Sequence, residues 1–175
     1  MHRLLLFALL LPAGCEAPQP DQTTSAMPPS TETRGWQRPI EACKYLSTRG
    51  LSTRGYTQQY EDRHACSSPY LEIGAGAPLA NNLAYYVNGD ATRARELKLV
   101  LNMNQVDDAT KAHNALAEHA SKLTQNALGQ PLPTAAVDAI RKGVAGEWSM
   151  AGATLRVVRD DWPTGRGYEL HFTIS

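Results

Sequence analysis

The side chains of this chain best equipped for chemistry are three cysteines, five histidines and the adjacent aspartates Asp160 and Asp161. Cys43 and Cys66 allow two readings. A thiol beside His64 would be a nucleophile with its base, but no motif around either cysteine activates it. Two cysteines in an exported chain are most simply a disulfide, and closing that loop stabilises a fold by roughly 3 kcal/mol in the chain-entropy picture. His113 and His119 lie six residues apart, which on a helix turns them roughly 120° away from each other. With no H-E-x-x-H, no C-x-x-C and no histidine pair at i, i+4, no metal site and no cofactor is expected. Neither G-x-S-x-G nor S-x-x-K occurs, so a serine triad would have to be assembled from distant residues. The Gly74-Ala75-Gly76 run lacks the third glycine and the Lys-Ser/Thr of a phosphate loop.

The candidates that remain are for binding. Asp160 and Asp161 open the stretch DDWPTGRGY ahead of the last strand. Neighbouring acids in a chain point apart and make a poor acid–base pair. Asp, Pro and Gly serve turn geometry here, while Trp162 and Arg166 are of the types enriched at binding hot spots. A loop on a rigid sheet is where recognition usually sits. The direct repeat LSTRG, at 46–50 and again at 51–55, supplies Arg49 and Arg54 as a second candidate surface. Its period is too short for a solenoid. The expected partner-binding residues are therefore Asp160, Asp161, Trp162, Arg166, Arg49 and Arg54.

The elements that must position these residues follow from periodicity. Leu97, Leu99, Leu101 and Met103 alternate with Glu96, Lys98, Val100 and Asn102, the period of a strand with one apolar face. Ala109, Ala112, Leu116, Ala120, Leu123 and Ala127 then recur at three and four, the period of an amphipathic helix. Asp107 and Asp108 suit its positive end; Gly129 ends it and Pro131 and Pro133 forbid its resumption. A second helix is predicted over Thr134–Lys142 and a short first one over Pro39–Leu46. Leu83, Tyr85 and Val87 alternate ahead of the Asn88-Gly89-Asp90 turn, which predicts a hairpin with the strand that follows. Short strands are expected at Tyr56–Tyr60 and Tyr70–Ile73. Ala151-Gly152 reads as a turn before a strand through Ala153, Leu155 and Val157. The final strand alternates Tyr168, Leu170, Phe172 and Ile174 with Glu169, His171 and Thr173. The predicted class is α+β: a single antiparallel sheet with helices packed on one face, preceded by a signal peptide and a disordered tether.

That leader is read from Met1–Cys15, MHRLLLFALLLPAGC. Arg3 gives a positive start, and Leu4–Leu11 is an apolar run well short of the ~20 residues needed to span a bilayer. Small residues then precede a cysteine, which is signal-peptide logic. Ala13-Gly14-Cys15 after a leucine-rich run resembles the lipobox of bacterial lipoproteins, with Pro12 where leucine is usual. The resemblance implies cleavage before Cys15 and acylation of its sulfur, with palmitate, and of its new amino group. It also implies a membrane partner held through that lipid. Glu16, in place of the aspartate that retains such proteins in the inner membrane, favours the outer membrane. Residues 15–38, rich in Pro, Gln, Ser and Thr, read as a flexible tether, with Trp36 packing on the edge of the domain at 39–175.

Composition closes off other classes. Hydrophobic residues make up 42% and charged residues 19% of the chain, within the globular range. Seventeen basic residues balance seventeen acidic ones; loss of Arg3 with the leader leaves a charge of about −1, with no long-range pull on nucleic acid. The expected function is a membrane-tethered, periplasm-facing envelope lipoprotein acting as a non-enzymatic binding or accessory domain. Its partner is a protein, in an envelope-assembly or immunity-type role. The alternative is an envelope-acting hydrolase with a non-local active site.

Overall fold

The structure, a computed structural model, describes residues 35–175. The expected signal peptide, Cys15 and most of the tether lie outside the described residues. The described residues begin with a 3₁₀ turn at Gly35–Gln37 and a short helix α1 (Pro39–Ala42). Five strands follow: β1 (Thr57–Tyr60), β2 (Arg63–Ser67), β3 (Leu71–Ile73), β4 (Asn81–Gly89) and β5 (Ala94–Met103). Two helices, α2 (Ala109–Leu128) and α3 (Thr134–Lys142), lead to β6 (Gly146–Met150), β7 (Ala153–Asp161) and β8 (Tyr168–Ile174). The strands form one sheet in the order β1-β2-β4-β5-β8-β7-β6, with β3 beside β4, and every pairing is antiparallel.

The period-two pattern sets which face is covered. Leu97, Leu99, Leu101 and Met103 of β5 align with Ile174, Phe172, Leu170 and Tyr168 of β8. All eight are buried, in one cluster with Leu83, Tyr85 and Val87 of β4 and Leu155 and Val157 of β7. Ala112, Leu116, Ala120 and Leu123 of α2, with Ala136 and Ile140 of α3, pack into the same cluster. The helices therefore cover one face of the sheet, as an antiparallel sheet with one solvated face requires. Tyr85, fully buried, donates its hydroxyl to the Ala42 carbonyl at 2.9 Å. That bond satisfies the one polar atom of a large core side chain.

Several elements differ from the sequence expectation. The first helix stops at Ala42, not Leu46. Ile40 is 67% exposed while Cys43 and Leu46 turn inward, because Cys43 is bonded to Cys66 on β2 across a Cα–Cα distance of 6.2 Å. Trp36 is buried in the core rather than at its edge. Asp107 and Asp108 lie in a 3₁₀ turn ahead of α2 and outside its first turn. β2 has no counterpart in the periodicity, since Arg63, His64 and Ala65 are all at least partly exposed and only Cys66 is buried. α3, by contrast, runs over the predicted residues.

Candidate functional site

The two aspartates lie at the end of β7 rather than in a loop, and they part at once. Asp160 aligns with Glu169, and Asp161 with Tyr168, so the pleat sends them to opposite faces. Asp161 turns to the helix-covered side, where it pairs with Arg159 at 2.8 Å. Asp160 turns to the open side. The connecting loop narrows to Trp162–Gly167, where the Trp162 N–H donates to the Gly167 carbonyl at 3.0 Å and the Gly165 N–H donates to the Trp162 carbonyl at 2.8 Å. Trp162 is half-buried, and its ring lies where a Cβ on Gly167 would come within 2.5 Å of it; only glycine permits that contact. Arg166 is exposed at the tip.

The repeat arginines separate too. Arg49 lines a groove of about 370 Å³ with Glu118, Lys122 and Arg141 between α2 and α3. Its carbonyl meets His119 Nε2 at 3.1 Å. Arg54 is exposed and does not line that groove. The structure thus keeps Asp160 and the Trp162–Arg166 loop on one hairpin and leaves Arg49 and Arg54 elsewhere.

Beneath the sheet, His113 is 5% exposed. Its Nδ1 donates to the Arg141 carbonyl at 3.0 Å, and Nε2 lies 2.8 Å from the Tyr168 hydroxyl. The carbonyl fixes the tautomer, so in the neutral ring Nε2 accepts from Tyr168. Arg159 stacks 3.6 Å over the centre of the Tyr168 ring. Burial pushes the Tyr168 phenol up, and Arg159 opposes that shift. The Asp161 carboxylate in turn raises the Arg159 guanidinium. These contacts lock α2, α3 and the end of the β7–β8 hairpin together. His64 stacks on Tyr56 with ring centroids 5.9 Å apart, and the thiols that might have partnered it are spent in the Cys43–Cys66 bond.

The open face carries side chains that no helix covers. One row across it reads Glu72, Asn82, Asn102, Glu169 and Asp160; the next reads Ala84, Val100, His171 and Val158. Asn102 donates to Asn82 at 2.8 Å. His171, whose side chain is 12% exposed, sits between the two acids: Nε2 donates to Glu169 at 2.7 Å, and Nδ1 is 3.6 Å from Asp160. At the margin, Tyr86 is pushed up to about 12 by burial, by its hydrogen bond with Tyr70, and by the negative charge of Glu169. Tyr70 is 61% exposed. The result is a sheet floor of small apolar groups edged by two tyrosines, a carboxylate pair and an imidazole.

Comparison with protein families gives one match, over residues 10–166, to a family of unknown function, DUF6030. The chain belongs to the DUF6030 family. No curated protein and no solved structure matches it. The DUF6030 match takes in both disulfide cysteines and the Asp160–Arg166 segment and stops short of β8. In this DUF6030 member no helix among the described residues is long and apolar enough to cross a membrane.

Sequence reasoning missed Glu169 and His171 as partners of Asp160. The alternation of β8 already placed both on its polar side. What was lacking was the register that sets Asp160 opposite Glu169, and that register depends on β7 continuing through Asp161.

Proposed function

We propose that this chain is a bacterial envelope lipoprotein whose folded body is a non-enzymatic binding domain for a protein partner. The domain is held to the membrane by acylated Cys15 and stands off it on the 15–38 tether. It faces the periplasm, from the outer membrane rather than the inner. Its role is of the envelope-assembly or immunity type, and no nucleic acid is involved. The observation that carries the reading is the asymmetry of the sheet: two helices bury one face, and the other is left open with aromatic, amide and carboxylate groups along it. The β7–β8 hairpin at its margin adds Trp162 and Arg166, residue types that dominate protein interfaces. The Cys43–Cys66 bond removes both of these thiols as nucleophiles for the hydrolase alternative.

The test is cross-linking and pull-down from native membranes, comparing the unaltered chain with Arg166→Ala and with Trp162→Ala/Arg166→Ala. Loss of a specific protein partner in both variants is expected. Recovery of the same partners in the same yield would refute the hairpin as the contact. For the anchor, Cys15→Ser should abolish palmitate labelling and release the protein from the membrane fraction; an unchanged membrane signal refutes the lipoprotein assignment.

A further inference from the structure

We propose that Asp160, Glu169 and His171 form a binding site for a divalent transition-metal ion of the zinc class, on the open face of the sheet. One imidazole nitrogen and one oxygen from each carboxylate lie within 4.8 Å of one another. Ligand bonds of about 2.0–2.2 Å in a tetrahedral shell place donors roughly 3.4 Å apart, so a modest inward movement completes the set. Glu169 and Asp160 flank the ring at Nε2 and Nδ1 respectively. To share one ion with a single nitrogen, one carboxylate must swing across the ring edge. Both have the freedom to do so, with side chains 37% and 59% exposed.

The charge arrangement points the same way. Asp160 and Glu169 are directly opposite each other on β7 and β8, and like charges so placed repel. Four other carboxylates in the described residues pair with arginines: Glu41 with Arg38, Asp90 with Arg95, Glu147 with Arg156, Asp161 with Arg159. Among the described residues Asp160 and Glu169 form an ion pair with no arginine or lysine; both turn to His171. A bound dication removes the repulsion that this register creates. The ring is the most buried member. In the register it lies between Val100 and Val158, an apolar setting of the kind that raises the strength of a metal bond by excluding water.

The donor set selects the ion. Calcium and magnesium take oxygen ligands, whereas an imidazole nitrogen favours zinc and its transition-metal neighbours. Three protein donors leave at least one position for water or for a donor from another molecule. The inference does not rest on the partner-binding reading. Zinc binding is measured on the isolated protein, and its failure would leave the Trp162–Arg166 surface untouched.

The experiment is calorimetric titration of the untagged full chain with zinc chloride. The chain carries Cys15→Ser, which removes the one thiol outside the disulfide. The expected result is one zinc ion per chain, with affinity weakened at least about tenfold by Asp160→Asn, by Glu169→Gln and by His171→Ala. Calcium in excess should not displace it. Asp160→Asn changes an exposed, isosteric side chain, so its effect cannot be laid to misfolding. The proposal is overturned if the chain takes up no stoichiometric zinc, if Asp160→Asn and His171→Ala bind as tightly as the parent, or if calcium displaces zinc at equal concentration.

Discussion

Removing the Cys43–Cys66 bond tests how the N-terminal segment is held on the sheet. The bond spans a sequence separation of 23 residues. With a loop-closure entropy of −2.1 − 1.5R ln n cal/mol/K, a loop of that length contributes about 3.4 kcal/mol at 25 °C. Both cysteines are buried, at 5% and 3% exposure, so alanine at both positions adds a small cavity cost in the same direction. The double variant Cys43→Ala/Cys66→Ala should therefore lose about 3.4 kcal/mol or slightly more. With a urea slope of about 2 kcal/mol/M, the unfolding midpoint falls by about 1.7 M. Intact-mass analysis with and without reductant establishes the bond in the parent protein, and urea unfolding followed by far-ultraviolet circular dichroism gives the midpoints. A loss below about 1 kcal/mol, with the bond shown to be present in the parent, would refute the reasoning. It would mean that Trp36, Leu46 and Leu51 hold the segment in place without a covalent tie.

Two further perturbations follow. Gly143 has φ +63° at the end of α3, and a Cβ there would lie 2.6 Å from His113 Cε1, a ring fixed by two hydrogen bonds. Gly129 has φ +70° at the end of α2 with open space around it. Gly129→Ala should cost about 1–2 kcal/mol for the left-handed backbone alone, and Gly143→Ala measurably more; equal urea midpoints for the two variants would show that His113 is not packed as described. Stability should also fall on the alkaline side. Tyr86 rises from an ordinary 10.0 to about 12, so between those values the unfolded chain has released a proton that the folded chain keeps. The folded state then binds more protons, and stability declines as pH rises through this window. Tyr45, Tyr56, Tyr85 and Tyr168 are raised as well and act with the same sign. Urea midpoints from neutral pH to pH 12 should drop, and less steeply in Tyr86→Phe; a slope identical to the parent's would refute the role given to Tyr86.

The parts of the fold legible in the sequence are those where burial is one-sided and periodic. β8 alternates without interruption, and β5 does so from Leu97 to Met103 with Val100 as the one buried exception, because each has one packed face and one open face. α2 and α3 stop where Gly129 and Gly143 take positive φ. β2 was invisible because its buried member is a cysteine among partly exposed neighbours. α1 was overestimated because the inward turn of Cys43 answers to a residue 23 positions later, which local pattern does not register. The cluster on the open face was half-legible. The alternation of β8 puts Glu169 and His171 on its polar side, but local pattern puts Asp160 in a loop. Proline and glycine nearby made a long loop the natural reading, and the strand in fact runs on through Asp161.

The place of β8 in the sheet bears on how the chain reaches this state. It is the last strand in sequence, yet it lies between β5 and β7, with Leu97 opposite Ile174. Until β8 emerges, the hydrophobic edge of β5 has no neighbour on that side, and the β6–β7 hairpin has no seam to join. Such long-range pairing slows folding. A nascent chain therefore cannot close this sheet before β8 has been made, and both halves of the seam wait on that one strand.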